Sequence, residues 1–319
     1  MSIVVQKPGI LTTIQDSGRS GYRRLGINPN GAMDTVAARI ANVLAGNAKS
    51  EAVIETHFPA CEIQFKSQTS FAIAGADFDS ELNGSPIRNW SSATASNGDL
   101  LRFKGVRFGA RSYVAVAGGL VVDQWLGSSS TNLIAGAGGL NGRPLQTGDS
   151  IDTNQAAHHA MHVAGPSVIP RYSRFPTVRI VVGNEFDFLT ATSERSFLNE
   201  GFSLTNDCNR MGFRLSGPPL YLLHKREMIS APVTFGTIQL LPDGQLIVLM
   251  ADHQTAGGYP RIGNVISTDL PLLAQCQPGD GVSFALVTID EAERLAEQFE
   301  KELNYLSVGC RLQGQNANR

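Results

Sequence analysis

The chain has 319 residues, of which 42% are hydrophobic and 17% charged, and its net charge at pH 7 is −2. This length favours about two domains, and the composition is that of a protein with a folded core. The balanced charge provides no basic surface for nucleic acid or for an anionic membrane, so we expect neither as a partner.

The sequence also bears on the compartment. No uninterrupted apolar stretch approaches the roughly 18 residues of a membrane-spanning helix, and the N-terminus lacks the pattern of a signal peptide. The four cysteines have no spacing typical of a metal site or a disulfide framework; they are Cys61, Cys208, Cys276 and Cys310. These features predict a cytoplasmic protein.

Short apolar runs separated by glycine and other turn residues predict mainly β structure. In chain order, the clearest strands are expected at 71–75, 112–117, 178–182 and 282–287. Asn83-Gly84 predicts a hairpin, because both residues tolerate the positive φ of a type I′ turn.

A few helices have clear boundary signals. Asp34 is placed to cap a helix that stops at Gly46, and a short helix is expected from Ser193 to Glu200 with the serine as its cap. Another helix follows Thr268. The last helix is expected to begin at Thr288, with a capping box completed by Glu291, and to end at Gly309.

One motif occurs twice. Asp-x-x-Arg-x-Gly-aromatic-Arg begins at Asp16 and again at Asp207. A repeat this far apart indicates duplicated domains rather than a solenoid, so we expect residues 16–23 and 207–214 in equivalent places. The proline-containing segment between Asn154 and Pro176 is the expected linker, which gives domains at 1–160 and 161–319.

The linker contains His158, His159 and His162. If this segment were helical, the first and last histidines would share a face and be able to bind a metal. A solvated linker is favoured instead, because no carboxylate or cysteine lies nearby in the sequence, and we assign no metal site.

Two segments in the first half have reactive side chains next to glycines. After the strand that ends near Gln15, Asp16 is able to accept a proton and Arg19 to hold a carboxylate or phosphate. A buried Asp16–Arg19 pair that braces the turn is equally compatible with the spacing. Further on, Asn30 and Asp34 precede a helix whose N-terminus is suited to an anion, although a simple capping role for Asp34 is the stronger interpretation.

In the second half, Asp, His, Gln, Thr and Tyr are crowded into a glycine-rich segment, 252–260, directly after an apolar strand. Strand exits of this kind often carry sites, although a polar turn is the alternative. Other signatures are missing: no Gly-x-x-x-x-Gly-Lys loop, no Rossmann spacing and no Gly-x-Ser-x-Gly elbow.

The residues 12–19, the Gly31-Ala32-Met33-Asp34 helix start, Arg210-Met211-Gly212 and the segment 254–260 resemble the KipA family. This family is also called PxpC, or the allophanate hydrolase subunit 2 family of biotin-dependent carboxyltransferase-like domains. The resemblance extends from about Ile3 to Ala292. It implies a mainly β fold of two cyclophilin-like β-barrel domains with a few short helices.

The resemblance also implies a function. Family members act in ATP-dependent 5-oxoprolinase, with a KipI-like subunit and a third subunit, and related domains are the carboxyltransferase part of urea carboxylase. This chain has no biotin-carrier region and no lysine in the context typical of biotinylation, so we expect no covalent biotin and favour the oxoprolinase subunit. ATP is expected to be shared with the partner subunits, and the chain alone to be inactive.

Two alternatives remain open: a carboxyltransferase subunit acting on urea or a related amide, and a non-enzymatic KipA-like regulator that binds a KipI-type kinase inhibitor. For an enzyme, we predict a cleft lined by the segments 15–22, 30–34 and 252–259. The expected catalytic residues are Asp16, Asp252 and His253, and the expected substrate-binding residues are Gln15, Arg19, Tyr22, Asn30, Asp34, Arg210, Gln254, Thr255, Gly257, Gly258 and Tyr259.

Overall fold

A computed structural model describes residues 1–156, 161–224 and 228–317, which form two compact units. Unit 1 consists of Met1–Arg19, Asn30–Pro170 and Phe299–Arg319, and unit 2 consists of Ser20–Pro29 and Arg171–Gln298. The main division therefore follows Pro170, and each unit also takes a segment from the other half of the sequence, which a single boundary near residue 160 does not describe.

Unit 1 is built from two β-sheets and one helix. In chain order, its elements are β1 (Ser2–Lys7), β2 (Thr12–Gln15), α1 (Thr35–Leu44), β3 (Val53–Thr56), β4 (Glu62–Phe65), β5 (Thr69–Asp77), β6 (Ser80–Leu82), β7 (Ser85–Pro86), β8 (Ser91–Ala95), β9 (Leu100–Phe103), β10 (Phe108–Val116), β11 (Leu120–Val121) and β12 (Ser150–Thr153). One sheet has the order β11-β12-β1-β4-β9-β6-β7, and the other has the order β2-β3-β10-β5-β8.

The two sheets of unit 1 share one apolar core. Ile3 and Phe65 from the first sheet pack with Phe71 and Val114 from the second, and all four side chains are fully buried. Alternate residues of a strand point to opposite faces, and residues of both parities are buried along β5 and β10. The reason is that α1 covers the other face of these two strands.

Unit 2 is a closed β-barrel followed by a long helix. In chain order, its elements are β13 (Thr177–Val182), α2 (Ala191–Asn199), β14 (Phe202–Cys208), β15 (Gly212–Ser216), β16 (Ala231–Pro232), β17 (Thr237–Leu240), β18 (Leu246–Leu249), β19 (Ala256–Gly257), β20 (Arg261–Val265), α3 (Leu270–Ala274), β21 (Gly281–Leu286) and α4 (Ile289–Ala317), whose last part belongs to unit 1. The barrel order is β13-β20-β17-β18-β15-β14-β21.

Aromatic side chains fill one part of the barrel of unit 2. Phe197 of α2 stacks on Phe284 of β21, with ring centroids 4.9 Å apart, and it also contacts Phe186 and Phe202. Burial of such large rings contributes much of the apolar stabilisation of a small barrel. The predicted mainly β fold with barrel domains is confirmed, and the four strand predictions correspond to β5, β10, β13 and β21.

The turn and helix predictions are mostly confirmed. Asn83 and Gly84 have positive φ and join β6 to β7, and α1 begins directly after Asp34. α2 differs from the prediction, because Thr190 rather than Ser193 is its N-cap. α4 also differs: it passes through Gly309 without a break, so a glycine alone does not stop a helix whose other residues favour it.

The repeated motif does not occupy equivalent places. Residues 16–22 form an irregular loop that leads into a 3₁₀ turn at Arg23–Leu25, whereas 207–214 lie at the end of β14 and the start of β15. Asp16 is partly buried and Asp207 is exposed. The prediction of equivalent geometry is therefore wrong for these two segments.

His162 is not part of a solvated linker. It is buried, its backbone N–H donates to Ser92 Oγ, and its Nδ1 lies 3.1 Å from the Leu44 carbonyl oxygen. His158 and His159 lie outside the described residues. In the described ranges no helix is both long and apolar enough to cross a membrane.

Candidate functional site

Asp16, directly after β2, is held by a run of hydroxyl-bearing residues. Its carboxylate accepts hydrogen bonds from the Gly18 and Ser129 backbone amides at 2.7 and 2.6 Å. It also accepts bonds from the Ser128 and Ser130 hydroxyls at 2.7 and 2.6 Å. Charge-assisted bonds of this kind are among the stronger ones in proteins, so they fix the Asp16 carboxylate in one orientation.

Arg19 is buried and holds the same loop from another direction. Its guanidinium donates to the Ser130 carbonyl oxygen at 2.6 Å and to Asn30 Oδ1, and it lies 4.9 Å from the centre of the Trp125 ring. Asn132 Nδ2 also donates to Asn30 Oδ1 at 2.9 Å. Arg19 and Asn30, both predicted to bind substrate, thus organise the loop 125–132 around Asp16.

Asp34 acts as a helix cap. Its Oδ1 accepts a hydrogen bond from the Ala37 backbone amide at 2.8 Å, and the residue is fully buried. Beside it, the Tyr113 hydroxyl accepts from the Asp34 backbone amide and donates to the Glu55 carboxylate, both at 2.8 Å. Burial, followed by the nearby carboxylate of Glu55, raises the pKa of Tyr113, so the phenol stays protonated and serves as a structural donor.

A cavity of about 440 Å³ lies beside α1 in unit 1. We call it the α1 pocket. Its lining combines acidic, basic and hydroxyl side chains and consists of Asp16, Ser17, Ala32, Thr35, Ala38, Arg39, Asn42, Lys49, Ser50 and Glu51. Its volume lies in the range of small-molecule sites.

In unit 2, Arg210 pairs with Asp252. The Arg210 Nε and Nη2 atoms each lie 2.9 Å from a different Asp252 oxygen, which makes a bidentate pair, and both side chains are more than nine-tenths buried. The Arg210 carbonyl oxygen also accepts from the Asp252 backbone amide at 2.7 Å. Both predicted site residues therefore have much of their hydrogen-bonding capacity used in bracing the exit of β18.

His253 is the next residue and is almost completely buried. Its Nδ1 lies 2.5 Å from the Gln254 carbonyl oxygen, and since a carbonyl only accepts, Nδ1 carries the proton and Nε2 has a free lone pair. Desolvation lowers the pKa of His253, and the positive charge of Arg23 lowers it further, against the opposing effects of the Gln254 bond and Asp252. The imidazole is therefore neutral at pH 7.

The segment 20–29 contributes further groups to unit 2. Asn28 Nδ2 donates to the Asp252 carbonyl oxygen at 2.9 Å, and Arg23 Nη2 donates to the Val233 carbonyl oxygen. Tyr22 is half-buried and precedes the 3₁₀ turn. The half-buried Arg23 thus lies in the electrostatic neighbourhood of His253.

The rest of the predicted strand exit is more open. Gln254, Thr255 and Gly257 are half-buried, and Gly258 and Tyr259 are exposed. Gly258 and Tyr259 line a second cavity of about 610 Å³, which is mainly apolar and also includes Tyr221, Met228 and Leu240.

The predicted site residues therefore form two groups. Gln15, Asp16, Arg19, Asn30 and Asp34 belong to unit 1; Tyr22, Arg210 and the residues of 252–259 belong to unit 2. Gln15 is buried, and its Nε2 donates to Thr13 Oγ1 at 3.0 Å.

Sequence reasoning missed several polar residues of unit 1. Ser128 and Ser130 hold Asp16, and Arg39 and Lys49 line the α1 pocket. The unbroken run Ser128-Ser129-Ser130-Thr131-Asn132 was a usable signal, because five consecutive hydrogen-bonding side chains are unusual in a buried loop.

Comparison with known proteins gives consistent matches along the chain. The family model described as carboxyltransferase domain, subdomain A and B, matches residues 25–286. The chain is 36% identical to a 5-oxoprolinase subunit of Haemophilus influenzae over 294 residues, which is 92% of this chain and 94% of that protein. It is 34% identical to the 5-oxoprolinase subunit of the same name from Escherichia coli over 310 residues, which is 97% of this chain and 98% of that protein.

Among solved structures, the urea amidolyase of K. lactis matches with a TM-score of 0.90 and 26% identity, over 96% of this chain and 20% of that chain. The fold, the family model and the relatives thus agree. The chain belongs to the family of carboxyltransferase domains with subdomains A and B.

Proposed function

We propose that the chain is a subunit of an ATP-dependent 5-oxoprolinase, which opens the lactam of 5-oxoproline to glutamate together with a KipI-like subunit and a third subunit. The observation that carries this proposal is the extent of the two matches to 5-oxoprolinase subunits, which cover 94% and 98% of those proteins. The urea amidolyase match, in contrast, covers 20% of that chain.

The lactam is a resonance-stabilised amide, and its hydrolysis requires an activated carbonyl, a group that accepts a proton and a positive charge for the substrate carboxylate. ATP supplies the activation by phosphorylating the amide oxygen. Since no Gly-x-x-x-x-Gly-Lys loop is present in the sequence, we assign ATP binding to surfaces shared with the partner subunits.

His253 is the best candidate for the proton acceptor. A neutral imidazole with a free Nε2 is able to take a proton from water, and its Nδ1 hydrogen bond to the Gln254 carbonyl fixes the ring. The Asp252 carboxylate is less suited, because Arg210 contacts both of its oxygens. Asp16, fixed by two amides and two hydroxyls, is suited to positioning rather than to proton transfer.

Arg23 is the best candidate to hold the substrate carboxylate. Arg19 and Arg210 are both more than nine-tenths buried and donate to protein acceptors. Arg23 is half-buried, donates through Nη2 to one carbonyl oxygen, and lies near enough to lower the pKa of His253. A guanidinium and an imidazole would then act on the two ends of one small substrate.

The test is reconstitution with the two partner subunits, followed by measurement of ATP hydrolysis and glutamate release with 5-oxoproline. We expect activity from the complex, little from the chain alone, and a loss of at least about tenfold for His253→Gln and for Arg23→Gln, roughly 1.4 kcal/mol each. Arg24→Gln, which removes an exposed neighbouring charge, is the matched control.

The other functions have distinct signatures in the same assay. Turnover with urea but not with 5-oxoproline would indicate the carboxyltransferase alternative. Binding of the KipI-like partner without any turnover would indicate a regulatory module, as would full turnover after replacement of both Asp252 and Gln254 by alanine.

A further inference from the structure

Two cations of the α1 pocket are held by one carboxylate of α4. Arg39 Nη1 and Nη2 lie 2.6 and 2.7 Å from the two oxygens of Glu300, so the contact is bidentate. Lys49 Nζ lies 3.5 Å from Glu300 Oε2 and donates to Asn304 Oδ1 at 2.7 Å. The Arg39 guanidinium also lies over the ring of Phe299, 5.7 Å from its centre.

This arrangement already demonstrates carboxylate recognition. A planar guanidinium with a second cation beside it matches the geometry and charge of a carboxylate. The Arg39 hydrogen bond lowers the pKa of Glu300, against the effect of its partial burial, so the side chain is anionic at pH 7.

The Glu300 contact is also replaceable. The Glu300 side chain is 45% exposed, and those of Arg39 and Lys49 are 25% and 28% exposed. Ion pairs this open to water contribute little net stability, because solvent screens them and the long side chains lose entropy. A free carboxylate that bound in the pocket would therefore displace Glu300 with little loss of folding stability.

The same pocket has an acidic group for the opposite charge. Glu51 lines the cavity with Arg39 and Lys49, and its carboxylate has no hydrogen-bond or ion-pair partner within residues 1–156, 161–224 and 228–317. The Glu51 backbone is bonded to the Ala48 carbonyl oxygen and to Asn42 Nδ2, which fixes the residue at the pocket wall. The hydroxyls of Ser17, Thr35 and Ser50 also line the cavity.

From these contacts we propose that the α1 pocket is a binding site for a small amino acid, with Arg39 and Lys49 binding its carboxylate, Glu51 binding its ammonium group, and Glu300 acting as an internal competitor for the two cations. The site shares no residue with the His253 and Arg23 groups of unit 2. It does not depend on the proposed function, because binding is measured on this chain alone.

The experiment measures L-glutamate and glutarate binding to the full chain by calorimetry. Glu300→Gln keeps the shape of the side chain but removes the competing charge, and we expect it to bind both ligands at least about tenfold more tightly than the wild type, the strength of about one charge-assisted hydrogen bond. Glu51→Gln should weaken L-glutamate by a similar factor and leave glutarate, which has no ammonium group, unchanged. Arg39→Gln should abolish binding of both.

The matched control is Glu297→Gln, which removes an exposed charge one turn earlier on α4 and should bind as the wild type does. Circular dichroism establishes that each variant is folded. Equal affinities for Glu300→Gln and Glu297→Gln would overturn the proposal and leave Glu300 as a structural tether of α4. Absence of binding in every variant would overturn it as well, and equal effects of Glu51→Gln on both ligands would remove the amino-acid assignment.

Discussion

Arg210 contacts Asp252 through two nitrogens, each 2.9 Å from a different carboxylate oxygen, although the two residues are 42 positions apart in the sequence. The aspartate that precedes this arginine in the repeated motif, Asp207, is exposed. The arginine of the motif is thus braced by a carboxylate from the neighbouring strand exit. This pair fixes the backbone that presents His253.

The buried pair makes a prediction about stability. Asp252→Asn leaves the Arg210 charge buried without its counter-ion, and we expect the free energy of unfolding to fall by about 3 to 5 kcal/mol. Urea denaturation measures this change. Replacement of both residues by apolar ones of similar size, Arg210→Met with Asp252→Leu, should recover much of the loss. If Asp252→Asn unfolded at the wild-type urea concentration, the pair would have no structural role.

Arg19 provides the second prediction. Its guanidinium donates to the Ser130 carbonyl oxygen and to Asn30 within a buried loop. Lysine keeps the charge but lacks the planar fork, so we expect Arg19→Lys to lower the free energy of unfolding by about 2 to 3 kcal/mol. Activity of the assembled enzyme should fall only in proportion to the folded fraction. A variant with unchanged melting and at least tenfold lower activity would instead assign Arg19 to substrate binding.

His253 predicts a pH dependence of stability. Because burial lowers its pKa in the folded state below the ordinary value of 6.5, the unfolded chain takes up a proton at a higher pH than the folded chain does. The contribution of His253 to stability is therefore present above pH 6.5 and is lost as the pH falls below it. His253→Asn should reduce the loss of stability between about pH 6.5 and about pH 5.5, measured by urea denaturation. An identical pH profile for the variant would contradict this.

The cysteines predict selective reactivity. Desolvation raises the pKa of Cys61 and of Cys310 to about 11, so little thiolate is present at neutral pH. Cys276 is also buried, whereas Cys208 is partly exposed. A maleimide reagent at neutral pH should therefore label Cys208 first in the native protein, and all four cysteines after unfolding. Mass spectrometry of the digested protein identifies the labelled positions; rapid native labelling of Cys61 would contradict the prediction.

Adjacent residues were enough to specify the local features of this fold. Asp34 followed by apolar residues at helical spacing specified where α1 starts, and Asn83-Gly84 specified a hairpin, because caps and tight turns depend on the conformational limits of a few adjacent residues. The mainly β class also followed from short apolar runs between turn residues. The family could be identified because its motifs are continuous in sequence.

Which side chains meet became known only from the folded chain. Asp16 is held by Ser128 and Ser130, Arg210 by Asp252, and Arg39 by Glu300, 261 residues away. Such partners depend on strand order and on how the chain returns to each unit, neither of which a local pattern encodes. For the same reason the repeated motif misled: identical residue types at Asp16 and Asp207 adopt different backbones, because one follows an edge strand and the other lies within a closed barrel. Burial and pairing, not spacing, then determined that Arg19 and Arg210 brace the structure while His253 keeps a free nitrogen.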